Sequence, residues 1–293
     1  MRMVLLLLNL LLLKTQAALL FYEGFDYPKG EQLGETIITS ERWENDKSQF
    51  TVGKNSLSYP GLRSAIGNHI DVGPTSPSLD SVRTAPGVWD AQSHGALYVS
   101  FLLQIESTNR IDEVGDGTSI LTISKTSNNS QLLGINLLNR DGIRLGILKY
   151  PSSSSRVSSA FFSSGAGTNL SCNGSTTYLV VAKYKWVDGA DNDVVTVWVN
   201  PVGLGTAEDP AHQVSTSAGT DGALTAGRLT LSRGPDLTID EIRIGQTWAD
   251  VTPTATKLAA TEPAPFGNKP SGNASSHALD FDHDQPPNET QQP

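Results

Sequence analysis

Few side chains in this chain have the types and spacing that chemistry needs. Glycoside hydrolysis requires two carboxylates held across one cleft, which a β-strand supplies from alternating positions so that both leave the same face. Asp112 and Glu113 are adjacent instead, as are Asp240 and Glu241, and adjacent side chains leave a strand on opposite faces. Along Ile239-Asp240-Glu241-Ile242-Arg243-Ile244-Gly245 the alternation puts Ile239, Glu241 and Arg243 on one side, so Glu241 and Arg243 read as a surface ion pair. A lyase acting on a polyanion needs a basic patch with a Tyr or His base. The nearest approach is Lys183-Tyr184-Lys185, where alternation turns Tyr184 away from both lysines. His69, His94 and His212 read as loop residues, and spacing ties no partner to the single Cys172. These residues compose no recognised catalytic set, and the reading leans away from an enzyme.

Sugar recognition uses aromatic faces that stack on pyranose rings, helped by polar side chains. The tryptophans are Trp43, Trp89, Trp186, Trp198 and Trp248. Trp43 and Trp89 lie in an irregular stretch among Glu44, Asp46, Arg83 and Asp90, which makes Trp43, Trp89 and Arg83 ligand-binding candidates. Trp198 shares a strand side with Val194 and Thr196, which suits either a core or a ligand face. Trp248 follows the last strand and is expected to pack the end of the domain.

The elements that must position these residues are strands. Leu19 to Tyr22, Ala96 to Ile105, Ile120 to Ser124, Leu132 to Leu138, Ile143 to Tyr150, Tyr178 to Trp186, Val194 to Val199, Leu229 to Ser232 and Ile239 to Gly245 are rich in Val, Ile, Leu and Tyr and lie between turn residues. Asn139-Arg140-Asp141-Gly142 joins two of these runs, and Asp188 to Asp193 joins two more, so two β-hairpins are expected. Helical periodicity is absent over any length. The pattern predicts an all-β, antiparallel sandwich or jelly roll. Between Gly30 and Gly95 the signal is faint, with Phe50-Thr51-Val52 and Leu57-Ser58-Tyr59 the best pieces. Ala160-Phe161-Phe162, inside a Ser/Gly-rich segment, reads as an edge strand in preference to a mobile flap.

Residues 1–17 have the layout of a secretory signal, with Arg2, the apolar run Val4 to Leu13 and small residues before the expected cleavage point. The domain is predicted over 18–253, followed over 254–293 by a polar tail too poor in hydrophobes to order itself. A net charge of −9 and a pI near 5.0 argue against nucleic acid or anionic lipid as the main partner. The protein is expected outside the cytoplasm, secreted or periplasmic, with no membrane span once the signal is removed.

Phe21-Tyr22-Glu23-Gly24-Phe25-Asp26-Tyr27 near the start, with Ile239 to Gly245 and Trp248-Ala249-Asp250-Val251-Thr252-Pro253 at the end, resembles a family of exported bacterial proteins with a concanavalin A-like, laminin-G-like jelly roll. Tyr178 to Tyr184 and Val195 to Pro201 are similar to that family's central hairpin. The resemblance implies two facing antiparallel sheets with the first and last strands side by side. It also implies relatives that bind sugars, mediate adhesion or degrade polysaccharides, although the Glu-X-Asp-X-X-Glu strand of the concanavalin-like glucanases is missing here. Calcium is an implied cofactor, since such domains hold it with carboxylates and carbonyls at a rim or between terminal strands. Two sets qualify: Asp188, Asp191 and Asp193 in one hairpin loop, and Glu23, Asp26 and Asp240 if the terminal strands pair. The expected function is a non-catalytic binding or surface-interaction module with an extracellular polysaccharide or cell-surface component as ligand. A polysaccharide-active hydrolase or lyase and a structural extracellular protein are the alternatives.

Overall fold

A computed structural model describes residues 19–33, 43–44, 50–73, 81–84, 91–92, 95–125, 130–150, 158–163, 169–222, 225–232 and 234–255. The leader 1–17, the tail beyond residue 255, Trp89 and His94 lie outside the described residues. In chain order the strands are β1 (Leu19–Glu23), β2 (Trp43–Glu44), β3 (Phe50–Val52), β4 (Ile70–Val72), β5 (Ser81–Thr84), β6 (Ala91–Gln92), β7 (Ala96–Ile105), β8 (Thr118–Ser124) and β9 (Gln131–Asn139). There follow β10 (Ile143–Lys149), β11 (Ser158–Phe161), β12 (Tyr178–Lys185), β13 (Val194–Val199), β14 (Gln213–Thr216), β15 (Thr225–Ala226), β16 (Arg228–Ser232) and β17 (Leu237–Gly245), then one turn of helix, α1 (Trp248–Val251).

One sheet runs β14-β13-β12-β7-β17-β4-β3, with β1 also paired to β17. The other runs β11-β10-β9-β8-β16-β5-β2, and β6 pairs with β15 apart from both. The ladders are antiparallel. Phe101, Val180 and Ile242 of the first sheet meet Ile123, Ile135, Ile147 and Leu229 of the second in one continuous apolar core. This is an antiparallel β-sandwich of the jelly-roll class. Both expected hairpins are present: β9 pairs with β10 and β12 with β13. Asp141 and Gly142 turn the first of them at φ 56° and 104°, the left-handed region that an Asp-Gly pair tolerates. The terminal strands lie side by side, with Tyr22 opposite Arg243 and Glu23 opposite Ile242. Residues Ser158–Phe161 form the edge strand of the second sheet. Strands β5 and β14 carry no run of alternating apolar residues, whereas the short β4 buries Ile70 and Val72 on either side of the exposed Asp71.

The last strand departs from simple alternation. Its register against β7 jumps from Asp240 opposite Leu102 to Arg243 opposite Ser100, one residue more than the partner supplies. Glu241 occupies the extra place with φ +55°. The bulge resets the pleat, so Ile239, Ile242 and Ile244 all enter the core. Glu241 and Arg243 do pair, as Arg243 Nη2 donates to Glu241 Oε2, but the pair is fully buried rather than on the surface.

The far side of the first sheet carries a second apolar cluster of Leu57, Leu62, Leu102, Val181, Trp198, Trp248 and Val251. Thr247 and Asp250 form a capping box that starts α1 and sets Trp248 edge-on against Trp198, ring centroids 5.2 Å apart. Asp209 closes this layer. Its carbonyl accepts from Trp198 Nε1 at 2.7 Å, and its carboxylate accepts from Val202 N, Ala211 N and the His212 ring. Burial alone would raise the carboxyl pKa, but the two backbone donors and His212 overcome it and hold the pKa at about 2. A depressed carboxyl contributes stability that is complete above its unfolded value and lost as pH falls through the folded one. Urea unfolding between pH 5 and 2 is therefore expected to show a loss of roughly 2 kcal/mol in the native chain that Asp209→Asn lacks. Equal acid sensitivity in the two proteins would remove Asp209 from this role.

Candidate functional site

The outer face of the second sheet holds the arrangement best suited to a ligand. Strands β9 and β10 each contain a Leu-Gly-Ile triplet, Leu133-Gly134-Ile135 and Leu145-Gly146-Ile147. The Leu and Ile side chains fill the core, so both glycines face outward. Register places Gly146 opposite Asn136, with Gly134 one pleat along β9 on the same face. Two aromatic rings lie over these glycines. A Cβ on Gly134 would sit 2.9 Å from Tyr150 Cε2, 3.2 Å from the Tyr150 hydroxyl and 3.4 Å from Asn136 Oδ1. A Cβ on Gly146 would sit 2.2 Å from Phe161 Cδ1. Glycine in mid-strand thus buys the close approach of a ring to the sheet. Tyr150 and Phe161 are both half-buried.

Asn136 lies between the two rings and is only 3% exposed. Its Nδ2 donates to the Asp116 carbonyl at 2.8 Å, while its Oδ1 is buried with no hydrogen-bond partner among the described residues. Asp116 stands exposed above it and accepts from Ser159 Oγ at 2.8 Å. Burial, and then the Asp116 charge, push the Tyr150 hydroxyl pKa above its ordinary value, so Tyr150 keeps its proton at neutral pH. Across the sheet the face continues through Thr122, opposite Gly134, to Thr230 and the backbone position of Arg83. Ser124 pairs with Arg228 one pleat away, and Ser124 Oγ is also buried without a partner among the described residues. Buried polar atoms lacking partners are costly, and a water or a polar ligand group can supply what is missing.

The described residues singled out from sequence fall elsewhere, apart from Arg83, whose backbone joins this face. Trp43 is buried, donates from Nε1 to Glu23 Oε2 at 3.0 Å and stacks on Phe25. Trp198 is completely buried beneath Lys183, whose Nζ lies 5.3 Å from its ring centroid. Neither ring offers a face to a sugar. Glu23 and Asp240 do not converge, because the terminal strands send them to opposite sides of the sheet. Glu23 accepts from Phe25 N, the Tyr27 hydroxyl and Trp43 Nε1. Asp240 accepts from Leu57 N and Glu241 N, and burial followed by the Glu241 charge raises its pKa well above the carboxylate range. Asp193 is buried against the Tyr184 hydroxyl and Val187 N, whereas Asp188 and Asp191 are exposed. Among the described residues no group of three or more His, Cys, Asp or Glu is arranged to hold a metal ion.

From sequence Tyr150 and Phe161 read only as strand residues, and none of Tyr150, Phe161 and Asn136 stood out as a site residue. The paired Leu-Gly-Ile triplets were the available signal, because a glycine flanked by core residues on both strands of a hairpin leaves an outward gap that something must cover.

The fold and this face together define an antiparallel β-sandwich with a polar and aromatic outer surface. No family profile and no curated protein matches the sequence. Solved structures that superpose on it include an endo-β-1,4-glucuronan lyase from the fungus Trichoderma reesei, 12% identical with a TM-score of 0.45 over 79% of this chain and 97% of that one. The binding domain of Paraclostridial Mosquitocidal Protein 1 is 14% identical with a TM-score of 0.47, over 79% of this chain and 49% of that one. The alginate lyase from Klebsiella pneumoniae is 8% identical with a TM-score of 0.34, over 57% and 74%. The chain spans about half the length of the mosquitocidal binding domain. These are likenesses of fold.

Proposed function

We propose that this chain is an exported glycan-binding module of the laminin-G-like kind, with the outer face of β8, β9, β10 and β11 as its binding surface. The observation that carries the reading is Asn136, whose buried Oδ1 lacks a donor among the described residues, beside two aromatic rings held against glycines. Aromatic faces take up the apolar side of a pyranose, and a buried amide acceptor takes a hydroxyl hydrogen. The geometry favours binding over hydrolysis, because Asp116 is the one carboxylate of this cluster among the described residues and two are needed across a glycosidic bond. A Tyr150 that retains its proton is likewise a poor general base.

Affinity electrophoresis of the full chain through gels cast with neutral and acidic polysaccharides, with calcium and again with chelator, tests the reading. Retardation by at least one polymer is expected, with Phe161→Ala weakening it about tenfold, the effect of losing one contact worth roughly 1–2 kcal/mol. Retardation abolished by chelator would bring calcium back as a cofactor. Unchanged mobility on every polymer, from protein with a native circular dichroism spectrum, would falsify the reading.

A further inference from the structure

We infer that the ligand of this face is a neutral glycan chain spanning at least two consecutive sugar units, one over Tyr150 and one over Phe161, with a sugar hydroxyl donating to Asn136 Oδ1. This rests on the glycan-binding reading and specifies what the face selects.

The first argument is spacing. Gly134 and Gly146 are diagonal neighbours across the β9–β10 ladder, about 7–8 Å apart in an antiparallel pair. Each supports its own ring, so the two aromatic surfaces are separate platforms. One pyranose cannot cover both, and two linked ones can.

Polarity supplies the second argument. The polar groups between the platforms are acceptors, beside the buried Leu148 on the same face: Asn136 Oδ1 has no donor among the described residues, while Nδ2 is committed to the Asp116 carbonyl. Above them stands the exposed Asp116 carboxylate, with Ser159 Oγ already donating to it. A ligand carboxylate there would meet an oxygen and a negative charge, which costs affinity and slows encounter. A hydroxyl supplies the missing hydrogen. The guanidinium groups of the face lie outside this centre. Arg144 is two residue pairs further toward the hairpin turn, opposite Leu138, and donates to the Phe162 carbonyl at 3.4 Å. Arg228 is across β8, opposite Ser124. The net charge of −9 acts in the same direction at long range.

The test is calorimetric titration of the full chain with neutral β-1,4-linked gluco-, xylo- and manno-oligosaccharides of one to six units, and with uronate oligosaccharides of the same lengths. Affinity is expected to rise at least tenfold between one unit and three for a neutral series, and uronates are expected to bind at least tenfold more weakly. Gly146→Ala, whose Cβ would sit 2.2 Å from Phe161 Cδ1 and so displace that ring, is expected to reduce the gain from chain length to less than threefold. Tyr150→Phe keeps the ring and is expected to keep that gain. Monosaccharides binding as tightly as oligosaccharides would overturn the two-platform arrangement. Preferential binding of uronates would overturn the neutral assignment while leaving the glycan-binding reading standing. Silence from every neutral and acidic sugar would overturn both.

Discussion

Arg243→Met is expected to lower the free energy of unfolding by about 3–5 kcal/mol at neutral pH, the cost of leaving a buried charge without its partner. Arg243 is only 1% exposed, pairs with Glu241 and lies over the Tyr22 ring with its Cζ 4.9 Å from the centroid. Glu241 in turn accepts from the Tyr22 hydroxyl at 2.6 Å and from Ile66 N at 3.1 Å, so the pair ties β1, β17 and the segment before β4 together. Without the guanidinium, which lowers it, the pKa of Asp240, already raised by burial and then by the Glu241 charge, rises further. A carboxyl whose folded pKa is raised contributes stability at low pH that is lost as pH rises through the folded value. The deficit of Arg243→Met should thus be largest at pH 7 to 8 and shrink toward pH 5. Urea unfolding across that range measures it, and adding Glu241→Gln should restore part of the loss. A deficit under about 1 kcal/mol, or one independent of pH, would show that the pair contributes little to holding the terminal strands.

Glu23→Leu carries the second large effect, about 3–5 kcal/mol of lost stability. The carboxylate accepts from Phe25 N at 2.9 Å, the Tyr27 hydroxyl at 2.9 Å and Trp43 Nε1 at 3.0 Å, all buried. Leucine approximates its volume but leaves three donors unpaired, each costing roughly 1–3 kcal/mol when water cannot reach it. Glu23→Gln retains one acceptor oxygen and should lose about half as much. Trp43 provides a local readout, because its indole loses a charged hydrogen-bond partner and its emission should shift with the substitution. Measured by denaturant unfolding, equal stability of Glu23→Leu and the native chain would mean that the three donors find other partners.

The same carboxylate shows how far spacing can mislead. Glu23, Asp26 and Asp240 are brought close in sequence space by pairing the first and last strands, and that pairing is present. Glu23 and Asp240 still part, because a strand sends alternate side chains to opposite faces and the bulge at Glu241 sets which face each residue of β17 meets. Glu23 enters the layer between the sheets and Asp240 the layer beneath the segment that contains Leu57. A carboxylate trio becomes two separate structural anchors. Trp43 and Trp198 follow the same course: each is amphipathic enough to serve a surface, and each spends its indole N–H on a buried acceptor instead.

What the sequence by itself determined was the set of strongly patterned strands, the two hairpins with their turn chemistry and the all-β sandwich. Those features follow from local alternation of apolar residues and from turn residues that tolerate positive φ, which act over a few positions. Only the tertiary structure decided the rest. The bulge in β17 depends on register against β7, the burial of Glu241 and Arg243 depends on the segment that covers them, and the face of Tyr150, Asn136 and Phe161 assembles three strands and a loop. No single stretch of chain encodes these, because each requires side chains distant in sequence to occupy the space that a neighbour's glycine or backbone leaves open.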